Sequence, residues 1–356
     1  MRRLLPLLVI LATALGAVPV QLAGAIPKDT RLETYRGDLA FPIDMAWVPG
    51  TKKIFFTEKN TGKIRVMVGG RLLRRACVDL DVEPSDERGA LGIALHPKFE
   101  RNHFLYVYYT NREPLENRVA RFRVRDNRCR SKRVLVKGLS TKGATNHNGG
   151  QLEFMRGKLF VSTGEAGDPA EAQDEDSRLG KILRYNPDGS IPAGNPFSEP
   201  GDRSPVWSIG HRNPFGLAAR PGTNRLYSTE NGPFCDDELN RIRPKANYGW
   251  GVGYECGTRG VGPSPRGPIR RWSDVVVPTD AWWYEGRMKS LSGSLYAGDF
   301  DGNLHRFFMN AKGTRVREDR IIYSGAGPIV DVAKGPGGWL YFMTPETMYR
   351  IVPARG

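Results

Sequence analysis

Histidine is scarce in this chain, with five among 356 residues, so chemistry that needs a histidine cluster has few places to sit. Cysteine is sparse too: there are four, and no two share the Cys-x-x-Cys spacing of a zinc or thiol redox site. Beyond the first 25 residues no stretch is apolar for the roughly 20 residues that a membrane-spanning helix requires. Long helices are excluded by 42 glycines and 26 prolines spread along the whole length. The net charge of +15 lacks concentration. Its densest groups, Arg71, Arg74 and Arg75 and the stretch Arg121 to Arg133, read as solvated faces of strands and loops, not as a nucleic-acid interface.

What is present begins with export. Arg2 and Arg3 precede an apolar run from Leu4 to Val20 that ends in Ala23-Gly24-Ala25, which has the three parts of a cleavable signal peptide over residues 1–25. The alternative is an uncleaved anchor. The reading predicts a periplasmic or secreted protein whose residues 26–356 form one domain. In an oxidising compartment four cysteines point to bridges. Cys235 and Cys256 are near in sequence and form the first expected pair, leaving Cys77 with Cys129, although four cysteines allow three pairings.

A pattern then repeats along the chain: an aromatic-rich strand, a turn, and a second strand with a basic residue. It reads Ile54 to Thr57 with Gly62 to Val66, Phe104 to Tyr108 with Arg118 to Phe122, and Lys158 to Ser162 with Gly180 to Tyr185. It returns as Arg225 to Ser228 with Glu238 to Ile242, Ser294 to Ala297 with Gly302 to Phe307, and Gly338 to Phe342 with Met348 to Val352. A period of about 55 residues suits a propeller blade carrying long loops. One blade cannot bury both its faces, whereas a ring can. The expected fold is therefore all-β, a six-bladed β-propeller of four-stranded antiparallel blades around a central channel. The segment Arg31 to Gly37 is a candidate for the strand that closes the ring.

Three polar segments are candidates for chemistry. His147 lies in Thr145-Asn146-His147-Asn148-Gly149-Gly150, a polar loop just before a strand, where an imidazole can act as a base near neutral pH. Arg212 and Asn213, in Gly210-His211-Arg212-Asn213-Pro214, set a planar cation beside an amide. The acidic run Glu230 to Leu239, followed by Asn247-Tyr248-Gly249-Trp250, offers the carboxylates and carbonyls that calcium requires. His96, His103 and His305 read as structural.

These segments, together with Ser162-Thr163-Gly164-Glu165, Leu179 to Arg184 and Asp188 to Pro192, resemble the soluble, pyrroloquinoline-quinone-dependent aldose dehydrogenases of the glucose/sorbosone dehydrogenase family. The resemblance implies an aldose substrate, pyrroloquinoline quinone (PQQ) and Ca2+ as cofactors, and an external electron acceptor. It implies His147 as the base on the sugar C1 hydroxyl, with Arg212 and Asn213 on the quinone. It places Gly232 and Pro233 at a calcium ion, and Glu238 and Tyr248 at a second. The chain also departs from the family. Arg88 stands where active relatives have glutamine, and is a candidate cofactor contact. Phe300 or Asp301 replaces a late lysine, and Pro328 and Val330 replace arginines. Trp282, Trp283 and Tyr284 are candidate stacking surfaces. Losing the late cations suits a rival reading, a non-catalytic propeller that binds a carbohydrate or protein. A third, a calcium-dependent hydrolase, would need residues such as Asp44, Glu58 and Asn231 to converge on one metal.

Overall fold

The computed structural model describes residues 26–354 except 326. The signal-peptide reading of residues 1–25 falls outside the described residues. Six sheets follow one another along the chain, antiparallel except for a short parallel pairing of Ser208 and Ile209 with Ala246 and Asn247. Blade 1 is built from Pro42–Trp47, Lys53–Glu58, Lys63–Val68 and the short Arg71–Leu72. Blade 2 comprises Ala90–Leu95, Phe104–Asn111, Glu116–Arg125 and Arg128–Ser140. Blade 3 holds Leu152–Met155, Lys158–Thr163, Lys181–Tyr185 and Val206–Ile209. Blade 4 follows with Pro214–Arg220, Arg225–Glu230, Asp237–Ile242 and Arg270–Trp272. Blade 5 is Pro278–Tyr284, Ser294–Asp299, Leu304–Met309 and Val316–Tyr323. Blade 6 takes Asp331–Lys334, Leu340–Met343 and Met348–Pro353 from the end of the chain, and Thr30–Arg36 from its beginning.

The repeat read from the sequence is the hairpin of the second and third strands of every blade. These strands are covered on both faces, so they lack polar alternation: Leu105 to Tyr109 and Ile54 to Phe56 are fully buried. The core divides accordingly. Phe55 and Val66 of blade 1 pack with Leu105 and Tyr109 of blade 2, and corresponding apolar clusters fill each of the other junctions, including the one between blades 6 and 1. The ring is closed by backbone pairing of Thr30–Arg36 with Met348–Pro353, as the segment Arg31 to Gly37 suggested. Burying each blade against two neighbours is what removes its apolar faces from water.

Both disulfides have the expected pairing, Cys77 with Cys129 and Cys235 with Cys256. The first joins blades 1 and 2. The second ties the loop after Glu230 to the long connection that follows Trp250.

The first strand of each blade lines the channel. One end of the channel opens into a cavity of ≈ 270 Å3 bordered by Glu87, Gly149, Asn213 and Phe300. The other opens into a cavity of ≈ 1050 Å3 bordered by Trp47, His96, Trp282 and Arg287. Trp282 thus stands at the end away from Asn213, and Trp283 and Tyr284 are buried at blade junctions. The stacking surface expected of these three is corrected on that ground: strand Pro278–Tyr284 starts at the narrow mouth and carries its aromatic end to the far side.

Candidate active site

At the narrow mouth, loops from blades 2, 3 and 4 are locked together by a polar network. His147 has a left-handed backbone, φ 52°, which points its carbonyl at the turn after strand Lys158–Thr163. A Cβ on Gly164 would lie 2.0 Å from that carbonyl oxygen, so the approach requires glycine. It sets Glu165 beside the imidazole: Nδ1 of His147 lies 2.7 Å from Oε2 and 2.9 Å from Oε1 of Glu165. A carboxylate only accepts hydrogen bonds, so Nδ1 carries the proton and Nε2 is left as the basic nitrogen. Nε2 has no hydrogen bond to a described residue.

Glu87 fastens the other side. Its Oε2 accepts from the His147 amide at 2.7 Å and from Asn213 Nδ2 at 3.2 Å, while Asn213 Oδ1 accepts from the Gly149 amide at 3.0 Å. Burial pushes the Glu87 carboxyl upward, and the neighbouring His147 opposes this. Arg212 closes the group. Its carbonyl accepts from the Glu165 amide at 2.9 Å, and its Nη1 donates to the carbonyls of Asn231 at 3.1 Å and Gly232 at 2.7 Å. Its guanidinium lies over Trp250 at 5.4 Å, and its buried Nε has no partner.

Gly232, Pro233, Glu238 and Tyr248 border one small cavity of ≈ 20 Å3 together with Arg212, Glu230 and Trp250. That is room for about one water or one ion. Burial, reinforced by Glu230, pushes the Glu238 carboxyl up to about 8. The Tyr248 hydroxyl donates to the Arg241 carbonyl at 2.6 Å and accepts from the Arg243 amide at 2.9 Å, and its ring stacks on His211 at 4.7 Å. The Tyr248 hydroxyl is therefore engaged by the backbone at Arg241 and Arg243.

Arg88 is not brought to this group. Its guanidinium turns toward the segment before His147, donating to Thr141 Oγ1 at 3.3 Å and to the Ala144 carbonyl at 2.5 Å. Its neighbour Glu87 enters the site instead. Phe300 borders the mouth with Phe41, Phe215 and Leu91, and Lys59 is the lysine at its edge. Val330 is buried in the core. The roles of Glu165 and Glu87 were not assigned from sequence. The signal for Glu165 was its place one residue beyond a Thr-Gly at a strand end; Glu87 carried none.

The sequence profile of the Glucose / Sorbosone dehydrogenase family matches residues 39–352. The aldose sugar dehydrogenase YliI of Escherichia coli is 29% identical over 347 residues, covering 91% of this chain and 92% of that protein. Quinoprotein glucose dehydrogenase B of Acinetobacter calcoaceticus is 33% identical over 265 residues, covering 65% and 54%. The PQQ-bound form of aldose sugar dehydrogenase from Streptomyces coelicolor has a TM-score of 0.77 at 29% identity, covering 92% of this chain and 99% of that one. With a matching profile over most of its length, and a six-bladed ring whose mouth carries the His147, Arg212 and Asn213 segments, this chain belongs to the glucose/sorbosone dehydrogenase family of sugar oxidoreductases.

Proposed function

We propose that the protein is an exported aldose dehydrogenase that oxidises the C1 hydroxyl of a sugar at the narrow mouth, using pyrroloquinoline quinone and calcium, and passes the electrons to an external acceptor. The observation that carries this reading is the His147–Glu165 pair beside Arg212 and Asn213. The donor set suits such cofactors. The two pairs that the family resemblance gives to calcium, Gly232 with Pro233 and Glu238 with Tyr248, border one ion-sized cavity, where the Glu238 carboxylate is the kind of oxygen donor that a hard cation prefers. Phe41, Phe215 and Phe300 give the mouth flat apolar walls, with Asn213 and Lys59 as donors. When bound, the quinone would supply the two-electron acceptor for hydride from C1.

The chain's own residues do the rest. Nε2 of His147 takes the hydroxyl proton, and Glu165 stabilises the imidazolium that results. Arg212 and Asn213 present a cation and an amide toward negative charge formed in the reaction. Glu87 holds the amides of His147 and Asn213 in register. The two disulfides favour an oxidising compartment. No helix among the described residues is long and apolar enough to cross a membrane.

The test is calorimetric titration of metal-stripped protein with PQQ, with and without calcium, beside dye reduction by aldoses in wild type and His147→Ala. Calcium-dependent binding and a sugar-driven signal that the variant loses support the dehydrogenase. The absence of arginine at 328 and 330 and the Phe300 side chain at the mouth favour a second reading, a propeller that binds a carbohydrate or protein without the quinone. No quinone binding at any practical concentration would select it.

A further inference from the structure

Between its two cavities the channel narrows at three acidic side chains from three blades. Asp44 stands on the first strand of blade 1, Asp280 on that of blade 5 and Asp331 on that of blade 6. One oxygen of each lies within 4.8 Å of the others. All are buried, with Asp331 only 1% exposed. Two backbone amides compensate in part: Ile93 donates to Asp44 Oδ2 at 2.7 Å and Leu217 to Asp280 Oδ1 at 3.3 Å. No lysine, arginine or histidine among the described residues pairs with any of the three. Asp331 Oδ2 is buried and meets no donor at all.

A buried carboxylate oxygen without a donor is costly, and three carboxylates in one place repel one another besides. Burial and that repulsion push the carboxyls of Asp44 and Asp331 well above the usual range, and burial moves Asp280 to about 6. The cluster needs positive charge that the protein does not supply. Either protons or a metal ion must provide it. The arrangement favours the ion, because the donors are oxygens held on rigid strands of separate blades. Gln151 borders both cavities beside the triad; its side-chain amide donates to Asp44 and Asp280, while its Oε1 accepts from the Leu152 amide at 3.0 Å. Each cavity also gives an entry path and room for water ligands.

We propose that the waist of the channel binds a divalent, oxygen-seeking cation of the calcium type between Asp44, Asp280 and Asp331. Bonds of about 2.3–2.6 Å from such an ion span the observed separation, and water completes its 6–8 ligands. The site shares no residue with the His147 network or with the small cavity at Glu238. Because blade 6 combines both ends of the chain, an ion joining blades 1, 5 and 6 would clamp the ring beside its seam. Of the residues that a central metal would need from sequence, Asp44 is present, but Glu58 pairs with Arg65 at 2.7 Å and Asn231 donates to the Pro278 carbonyl.

Radiocalcium equilibrium dialysis of the chelator-treated protein at neutral pH tests this. Asp331→Asn and Asp44→Asn should each bind one ion fewer than wild type, while Glu238→Gln keeps the channel ion. Calcium should raise the wild-type Tm more than that of Asp331→Asn. If both aspartate variants bind as many ions as wild type, the triad holds protons and the proposal falls. Should the variants fail to fold, crystals of wild type soaked in terbium decide: anomalous density among the three carboxylates is expected. Its absence when other sites are filled overturns the proposal.

Discussion

Nδ1 of His147 and Oε2 of Glu165 are 2.7 Å apart, and this one contact decides which imidazole nitrogen is basic. A glutamine at 165 can present its amide nitrogen to Nδ1, which would move the ring proton to Nε2 and abolish the base. Glu165→Gln should therefore reduce kcat by about 10²–10⁴-fold with a smaller change in KM. Steady-state dye reduction measures this, with near-ultraviolet circular dichroism to confirm the fold. Retention of full kcat would remove the pair from the mechanism.

Arg88 anchors Thr141 and Ala144. Arg88→Ala should lower unfolding free energy by about 1–3 kcal/mol and leave the quinone Kd within about twofold. Urea denaturation and calorimetry separate the two quantities. Tenfold weaker quinone binding at unchanged stability would put the guanidinium on the cofactor instead.

His305 gives a pH dependence of known sign. Burial acts to lower its pKa, but Nε2 faces Asp299 at 3.0 Å and Nδ1 faces Asp319 at 2.8 Å, and these partners raise it to about 9. The native state therefore holds the proton more tightly than the unfolded chain, whose pKa is about 6.5. The stabilisation is complete below about 6.5 and is lost as pH rises through about 9. Unfolding free energies measured by urea across that window should fall for wild type and fall less for His305→Gln. Equal slopes would show that the imidazolium is not held.

The two disulfides differ in what they close. Cys77 and Cys129 are 52 residues apart, and Cys235 and Cys256 are 21 apart. Loop-closure entropy gives about 4 and about 3 kcal/mol respectively. The Cys77→Ala/Cys129→Ala variant should lose more Tm than Cys235→Ala/Cys256→Ala. The latter should lose more activity, since its bridge holds the loop containing Gly232 and Pro233. Paired melting curves and dye assays check both orders.

Much of this was legible in the sequence because it rests on local chemistry. Strands buried on both faces need unbroken apolar runs, so Ile54 to Phe56 and Leu105 to Tyr109 revealed the repeat and hence the ring. The Gly-rich loop around His147 and the Gly-Pro bracket of Arg212 marked fixed polar loops. Adjacent residues on a loop point in different directions, so Glu87 joins the His147 network while Arg88 donates to Thr141 and Ala144. Trp282 misled because a strand's two ends lie at opposite mouths of the channel.

By itself the sequence determined the number of blades through its hydrophobic pattern, and it offered the disulfide pairs as one of three pairings and Arg31 to Gly37 as a candidate closing strand, both of which the structure selected. Only the tertiary structure decided that Glu165 holds His147, that Glu87 joins two loops, and that Asp44, Asp280 and Asp331 converge. Those residues are 18 to 287 positions apart in pairs, and no local pattern encodes which members of distant strands meet when six blades close on one axis.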